Sequence, residues 1–196
     1  MKSTLRFLVL LCLFAVALLA LSGCFAQNNT VRLIYDRSGA SVLPSSTAPR
    51  IVVVMFEDGR GRVDIGVHKD GSPFNPGSSV AEWASQGLAD ELAKLGAQVS
   101  LATSMLQARS GKPDYIVEGV VDHVWLTEKN ISSYSCAVRL QTRLHREGLA
   151  TVTKNFSSQQ EKTGIPGARL YEETLSGTLA DALSNAAAAI MGSISI

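Results

Sequence analysis

Cysteine and histidine are scarce in this chain of 196 residues, with three of each. Cys12, Cys24 and Cys136 stand far apart, and His68, His123 and His145 show no paired ligand spacing, which excludes a zinc centre of the usual Cys/His pattern. An excess of basic charge is also missing, since 18 Lys and Arg stand against 17 Asp and Glu. Without a cationic surplus to neutralise a phosphate backbone, nucleic acid is excluded as a class of partner. The common catalytic signatures are absent: no G-x-S-x-G, no Walker motif and no G-x-G-x-x-G occurs. Gly77-Ser78-Ser79 precedes a helical pattern, and its serines are explained as the cap of that helix. The chain therefore reads as non-enzymatic, with no cofactor.

Long apolar runs are confined to the N-terminus. Residues 7–21 form a 15-residue stretch without charge, preceded by Lys2 and Arg6 and closed by Leu21-Ser22-Gly23-Cys24. A spanning helix needs about 20 apolar residues, so this length fits a signal peptide better. The closing tetrapeptide resembles the lipobox of bacterial lipoproteins. Ser22 and Gly23 are small enough for a peptidase pocket, and the Cys24 thiol is the side-chain nucleophile able to form a thioether. An ordinary secretory signal would explain the apolar run alone; n-region, h-region and cleavage pattern together favour the lipobox. The resemblance implies cleavage between Gly23 and Cys24, with a diacylglycerol and an N-acyl chain on Cys24. Residues 1–23 are then signal, 24–49 a lipidated N-terminus and flexible tether, and 50–196 a single domain. The processed chain of 173 residues suffices for one hydrophobic core and has 16 basic against 17 acidic residues. With Cys12 removed and Cys24 alkylated, Cys136 has no disulfide partner; its alternating strand context makes it a small buried hydrophobe.

Patterning predicts an α+β fold. In the tether, residues 31–35 are a short β-like run that adds an edge strand, and residues 41–49 are rich in Ser, Pro and Ala. The β-branched run 51–56 predicts a strand covered on both faces, followed by loops at 58–62 and 70–79. Ser79 and Glu82 suggest a capping box for a helix with Val80, Trp83, Ala84, Leu88, Leu92 and Leu95 on one face, ended by Gly96. A strand at 97–102 and a helical turn at 103–109 follow. Three antiparallel strands are then expected at 115–127, 135–145 and 150–158, with turns at 128–130 and 147–148. The first carries Ile116, Val120, Val124 and Leu126 on one face. The second turns Cys136, Val138, Leu140 and Leu144 inward, and the third Val152 and Phe156. A final helix from about Leu170 has the stripe Leu175, Leu179, Ala182, Leu183, Ala186 and Ile190, with Glu172 and Glu173 near its positive end. The sum is a mixed, largely antiparallel sheet, β-α-β and then a three-stranded meander, with two amphipathic helices on one face. The last helix is alanine-rich and too shallow in its apolar stripe to anchor in a bilayer, so membrane attachment falls to the lipid.

Two stretches attract a binding reading. Asp58-Gly59-Arg60-Gly61-Arg62 is dibasic and could hold a phosphate, although a solvated strand exit explains it more simply. Arg139, Arg143 and His145, with His123 beside them, fall on the wet face of the meander together with Trp125. They form either a cationic face for lipid head groups or acidic saccharides, or the charged face that any half-buried sheet needs. Glu118, Asp122 and Glu128 on the neighbouring strand are the expected partners in the second case.

The lipobox, the tether, the first strand with its Asp58-Gly59-Arg60 exit, the helix ending near Gly96, the Thr153-Lys154-Asn155-Phe156 strand and the alanine-rich final helix together resemble the YajG-like lipoproteins of Gram-negative bacteria. More distantly the layout is similar to auxiliary outer-membrane lipoproteins of ABC-type lipid transport systems, and to the lipopolysaccharide-assembly lipoprotein that plugs a barrel. The resemblance implies location and fold rather than a reaction. Phe25 follows the cysteine in place of the aspartate that retains lipoproteins in the inner membrane, which implies an outer-membrane anchor with the domain facing the periplasm. The expected role is an accessory or protein-binding component of the envelope; the alternative is a lipid- or glycan-binding module using the exposed face of the sheet.

Overall fold

The computed structural model describes residues 29–35 and 43–194. Its elements, in chain order, are β1 (Thr30–Val31), β2 (Arg50–Val54), β3 (Glu57–Asp58), β4 (Gly66–Val67), β5 (Pro73–Pro76), α1 (Val80–Lys94), β6 (Gln98–Ala102), α2 (Met105–Ser110), β7 (Tyr115–Asn130), β8 (Ser133–His145), β9 (Val152–Thr163) and α3 (Ala168–Ile194).

One strand organises the sheet. β7 pairs along one edge with β8, antiparallel, and β8 pairs likewise with β9. Three short parallel strands share the opposite edge of β7 end to end: β2 at residues 115–117, β3 at 120–121 and β4 at 126–127. β6 lies parallel to β2 on its far side, β5 antiparallel to β4, and β1 parallel to β5. The class is α+β, with the β2–α1–β6 unit and the β7–β8–β9 meander where the sequence patterns put them. The tight approach of β4 to β7 requires a residue without Cβ, because at Gly66 a Cβ would run into the backbone of Leu126.

Helices α1 and α3 lie together on one face and enclose the main core. Leu88, Leu92, Leu175, Leu179 and Leu183 are fully buried there, each stabilising the fold by about 1.5–3 kcal/mol relative to exposure. Ala182, Ala186 and Ala187 have no exposed surface and let α3 approach closely. The Ser79 hydroxyl accepts from the Glu82 amide, and Gly96 takes φ +87° immediately after α1, as a left-handed C′ residue does. α2 covers the reverse face, where Val52, Val54, Ala102, Ala108 and Ile116 form a second cluster. β2 is thus buried on both sides, as its unbroken β-branched run predicts.

The structure departs from the sequence patterns at identifiable points. A β-bulge between Val121 and His123 shifts the alternation of β7 by one residue. Tyr115, Val117 and Val121 face the helices before it, Val124 and Leu126 after it, and Ile116 points to the opposite face. The hairpin turns at residues 131–132 rather than 128–130, because Asn130 still pairs with Ser133. Loop 70–79 contains β5, whose two prolines cost the ladder nothing: the amides of Asn75 and Gly77 donate to Asn29 and Val31 at 2.8 and 2.7 Å. Val152 is 42% exposed at the frayed start of the edge strand, and Leu95 is 49% exposed at the C-cap. Glu172 and Glu173 lie beyond the first turn of α3 and pair with Arg32 and Arg169 instead.

Part of the stretch read as a tether packs on the domain. Val31 is fully buried, Leu33 and Tyr35 pack on the core, and the Tyr35 hydroxyl donates to Glu91 at 2.6 Å. Arg32 reaches Glu172 on α3 at 3.1 Å.

Candidate functional site

The cleavage pair Gly23 and Cys24, and the whole signal stretch, lie outside the described residues. The outer face of the meander is described in full, and register places its side chains in rows. Glu118 stands opposite Arg143, His123 opposite Arg139, and Trp125 opposite Ala137. The bulge in β7 makes this arrangement: without the extra residue, His123 and Trp125 would turn toward the helices. Arg139 and Arg143 are exposed on alternate positions of β8, and Arg143 donates to Gln141 at 3.3 Å. His145 is bonded to Glu118 at 2.7 Å.

The loop after β3 folds back over this face. Arg62 places its guanidinium 4.1 Å from the centre of the Trp125 ring while bridging Asp64 at 3.0 Å. Trp125 is therefore capped by a cation of its own chain. His123 stands opposite Arg139 and within reach of the charge of Arg62; burial first, and then these two charges, push its pKa below the usual histidine value. The row is thus one cationic-aromatic surface made from three elements. Arg60, by contrast, has left solvent. Its side chain is 4% exposed, bonded to Asp58 at 2.7 Å and to the Asp64 carbonyl at 3.1 Å, and it holds the Asp58 carboxyl below its ordinary range. Most of the dibasic loop is solvent-exposed, as a strand exit should be, and both its arginines are already paired within it, Arg60 with Asp58 and Arg62 with Asp64.

Two expected carboxylate partners lie elsewhere. Asp122 occupies the bulge, and Glu128 turns away to His68, whose Nδ1 is 2.8 Å from its Oε2. His68 stacks on Phe74 with ring centres 3.6 Å apart, and Phe74 meets Tyr171 at 5.3 Å and Tyr134 at 6.3 Å. This buried cluster ties the β4–β5 hairpin to the β7–β8 tip and to the start of α3. Nothing local in the sequence signals it, since His68 and Glu128 are 60 positions apart. His68 is buried within it, at 8% exposed.

Cys136 is 1% exposed, and burial pushes its thiol up to about 12, with the Thr178 hydroxyl drawing it partly back. A groove of about 820 Å³ opens at the far end of the meander beside α2; it is lined by three basic residues, Arg109, Lys112 and Arg146, and two acidic ones, Asp114 and Glu147. Among the described residues, no group of three or more His, Cys, Asp or Glu is arranged to hold a metal, and no helix is long and apolar enough to cross a membrane.

No family model matches the chain, and no curated protein matches it in sequence. Solved structures do resemble it. Protein XCC0632 from Xanthomonas campestris, of the family DUF330, is 9% identical with a TM-score of 0.59, over 85% of this chain and 97% of that one. The PelC dodecamer of Paraburkholderia phytofirmans gives 15% identity and a TM-score of 0.48, over 74% and 93%. Lipoprotein GNA1162 from Neisseria meningitidis gives 12% and 0.34, over 75% and 98%. The fold is thus similar to that of XCC0632.

Proposed function

We propose that this protein is a non-enzymatic lipoprotein of the Gram-negative envelope, held at the outer membrane by acyl chains on Cys24, with its domain facing the periplasm and binding another envelope protein. One observation carries the reading. The lipobox cysteine precedes by five positions a segment, residues 29–35, that is bonded into the domain by β1 pairing and by Arg32 and Tyr35. A lipid on Cys24 is then coupled to the fold itself, through a leash of at most about 18 Å.

The mechanism is confinement. A single acyl chain holds a protein only marginally, at about 0.8 kcal/mol per buried methylene, whereas two glyceride chains and an N-acyl chain make release very slow. A domain kept this close to the bilayer meets membrane-bound partners at a high effective concentration, so modest contacts suffice for stable association. The covalent lipid is the only prosthetic group the reading requires.

Crosslinking in intact envelopes, followed by purification of the full chain, tests it. A defined protein recovered with the wild-type chain, and lost when Cys24→Ala frees the domain from the membrane, is the expected result. Crosslinks confined to lipid or glycan would transfer the role to the Arg139, Arg143 and Trp125 face; repeated recovery of the chain alone would contradict partner binding.

A further inference from the structure

We propose that the two loop tips carrying Ile131 and Ile165 enter the interfacial layer of the bilayer that holds the Cys24 lipid, so that the domain is docked on the membrane in one orientation. This rests on the anchor reading above and adds a surface to it. The two tips are neighbours, because the Gly164 amide donates to the Ser132 carbonyl at 2.9 Å. Ile131 is 71% exposed and Ile165 90% exposed, beside the exposed Pro166.

Exposure alone does not select these residues, since Leu106 is 83% exposed on α2 and Leu149 is 61% exposed in the β8–β9 turn. Position relative to the anchor does. β7 runs toward the Ile131 tip; β4 is parallel to it, β5 antiparallel to β4, and β1 parallel to β5. β1 therefore runs away from the tip, and Asn29, the described residue nearest Cys24 in the chain, lies at its tip-ward end. Curling of the sheet brings the β1 edge to the same corner, where Arg32 meets Glu172 near the start of α3, just beyond the Ile165 loop.

The lengths agree. Gly66 is level with both Phe74 and Leu126, and Thr30 is level with Asn75, so Asn29 stands near the level of Leu126. Ile131 lies five residues further along, about 17 Å at the rise of a strand, and five residues from Asn29 to Cys24 reach at most about 18 Å. A lipid at the end of that leash and the two isoleucines can share one plane.

The local chemistry suits an interface. The Asn130 side chain accepts from the Ser132 amide and hydroxyl at 2.9 and 3.0 Å, which satisfies the turn and leaves Ile131 to project. Lys69 and Lys129 are exposed at the same end and would lie at phosphate depth. The nearby carboxylates are already engaged, Asp70 by Ser72 and Glu128 by His68 and the Lys69 amide.

The test uses the full lipidated chain in vesicles of phosphatidylethanolamine and phosphatidylglycerol, with an environment-sensitive fluorophore on Ile131→Cys, Ile165→Cys or Leu149→Cys. Cys136 is too buried to take the label. Vesicles should blue-shift the emission at 131 and 165 and allow a quencher placed at headgroup depth to reach it, while 149 at the opposite end stays in water. Chains that sediment with vesicles but leave 131 or 165 in water, or that are quenched alike at all three positions, would overturn the docking and leave the anchor standing. Chains that fail to sediment would overturn both.

Discussion

His123 is the residue whose protonation the fold resists most visibly. It stands opposite Arg139 with Arg62 nearby, partly buried, and its pKa is lowered by desolvation and then by both guanidinium groups. A histidine with a depressed folded value binds its proton more readily in the unfolded chain. Stability should therefore fall as pH drops through about 6.5, where the unfolded chain takes up the proton first. Comparing urea midpoints at pH 7.5 and 5.5, the wild type should lose more than His123→Gln; His68 and His145 are common to both proteins and cancel. Equal losses would show that burial and the two arginines together do not lower the pKa of this ring. Cys136 illustrates the opposite case, a residue whose role was legible from alternation alone, because its neighbours Val138 and Leu140 share its inward face. The Arg60 pairing was not legible. A short Gly-rich dibasic string looks the same whether it is solvated or folded onto Asp58 and Asp64, and only the tertiary path of the loop decides.

Local signals placed the helices. Ser79, the apolar stripe and Gly96 act within a few residues of each other, so α1 could be bounded by reading along the chain. Strand faces obey a longer-range rule. The bulge at Asp122 arises from the match between β7 and β8, and no residue of β7 announces it. β5 is masked in the sequence for a related reason: Pro73 and Pro76 argue against a strand, whereas the ladder draws its donors from Asn75 and Gly77. These two donors also report on β1. Val31→Asp would place a carboxylate in a site with no exposed surface, so residues 29–35 should leave the domain, at a cost of about 1.5–3 kcal/mol for the lost apolar burial alone. Hydrogen exchange at Asn75 and Gly77 should accelerate while the β7–β8 amides stay protected. Unchanged protection at Asn75 and Gly77 would mean that β1 is held by something other than Val31.

For the molecule as a whole, docking of residues 29–35 turns a lipid on Cys24 into a positional constraint. Under the anchoring proposed above, the leash shortens from a nominal 26 residues, 24–49, to five, and the domain would be confined to a thin layer above the bilayer, with the Ile131 and Ile165 end inward and the groove near Leu149 outward. Edge strand β9 is rich in Ser, Gln and Lys along its length, which discourages indiscriminate strand addition and leaves recognition to side chains. The partner was not legible at any stage, because recognition by a surface requires the other surface. Everything at this scale depends on the covalent chemistry of one residue. Mass spectrometry of the N-terminal peptide, from chain purified out of Gram-negative membranes, tests it most directly. The account predicts a peptide beginning at Cys24 that carries a glyceride thioether and an N-acyl chain; a peptide beginning elsewhere, or an unmodified Cys24, would contradict it.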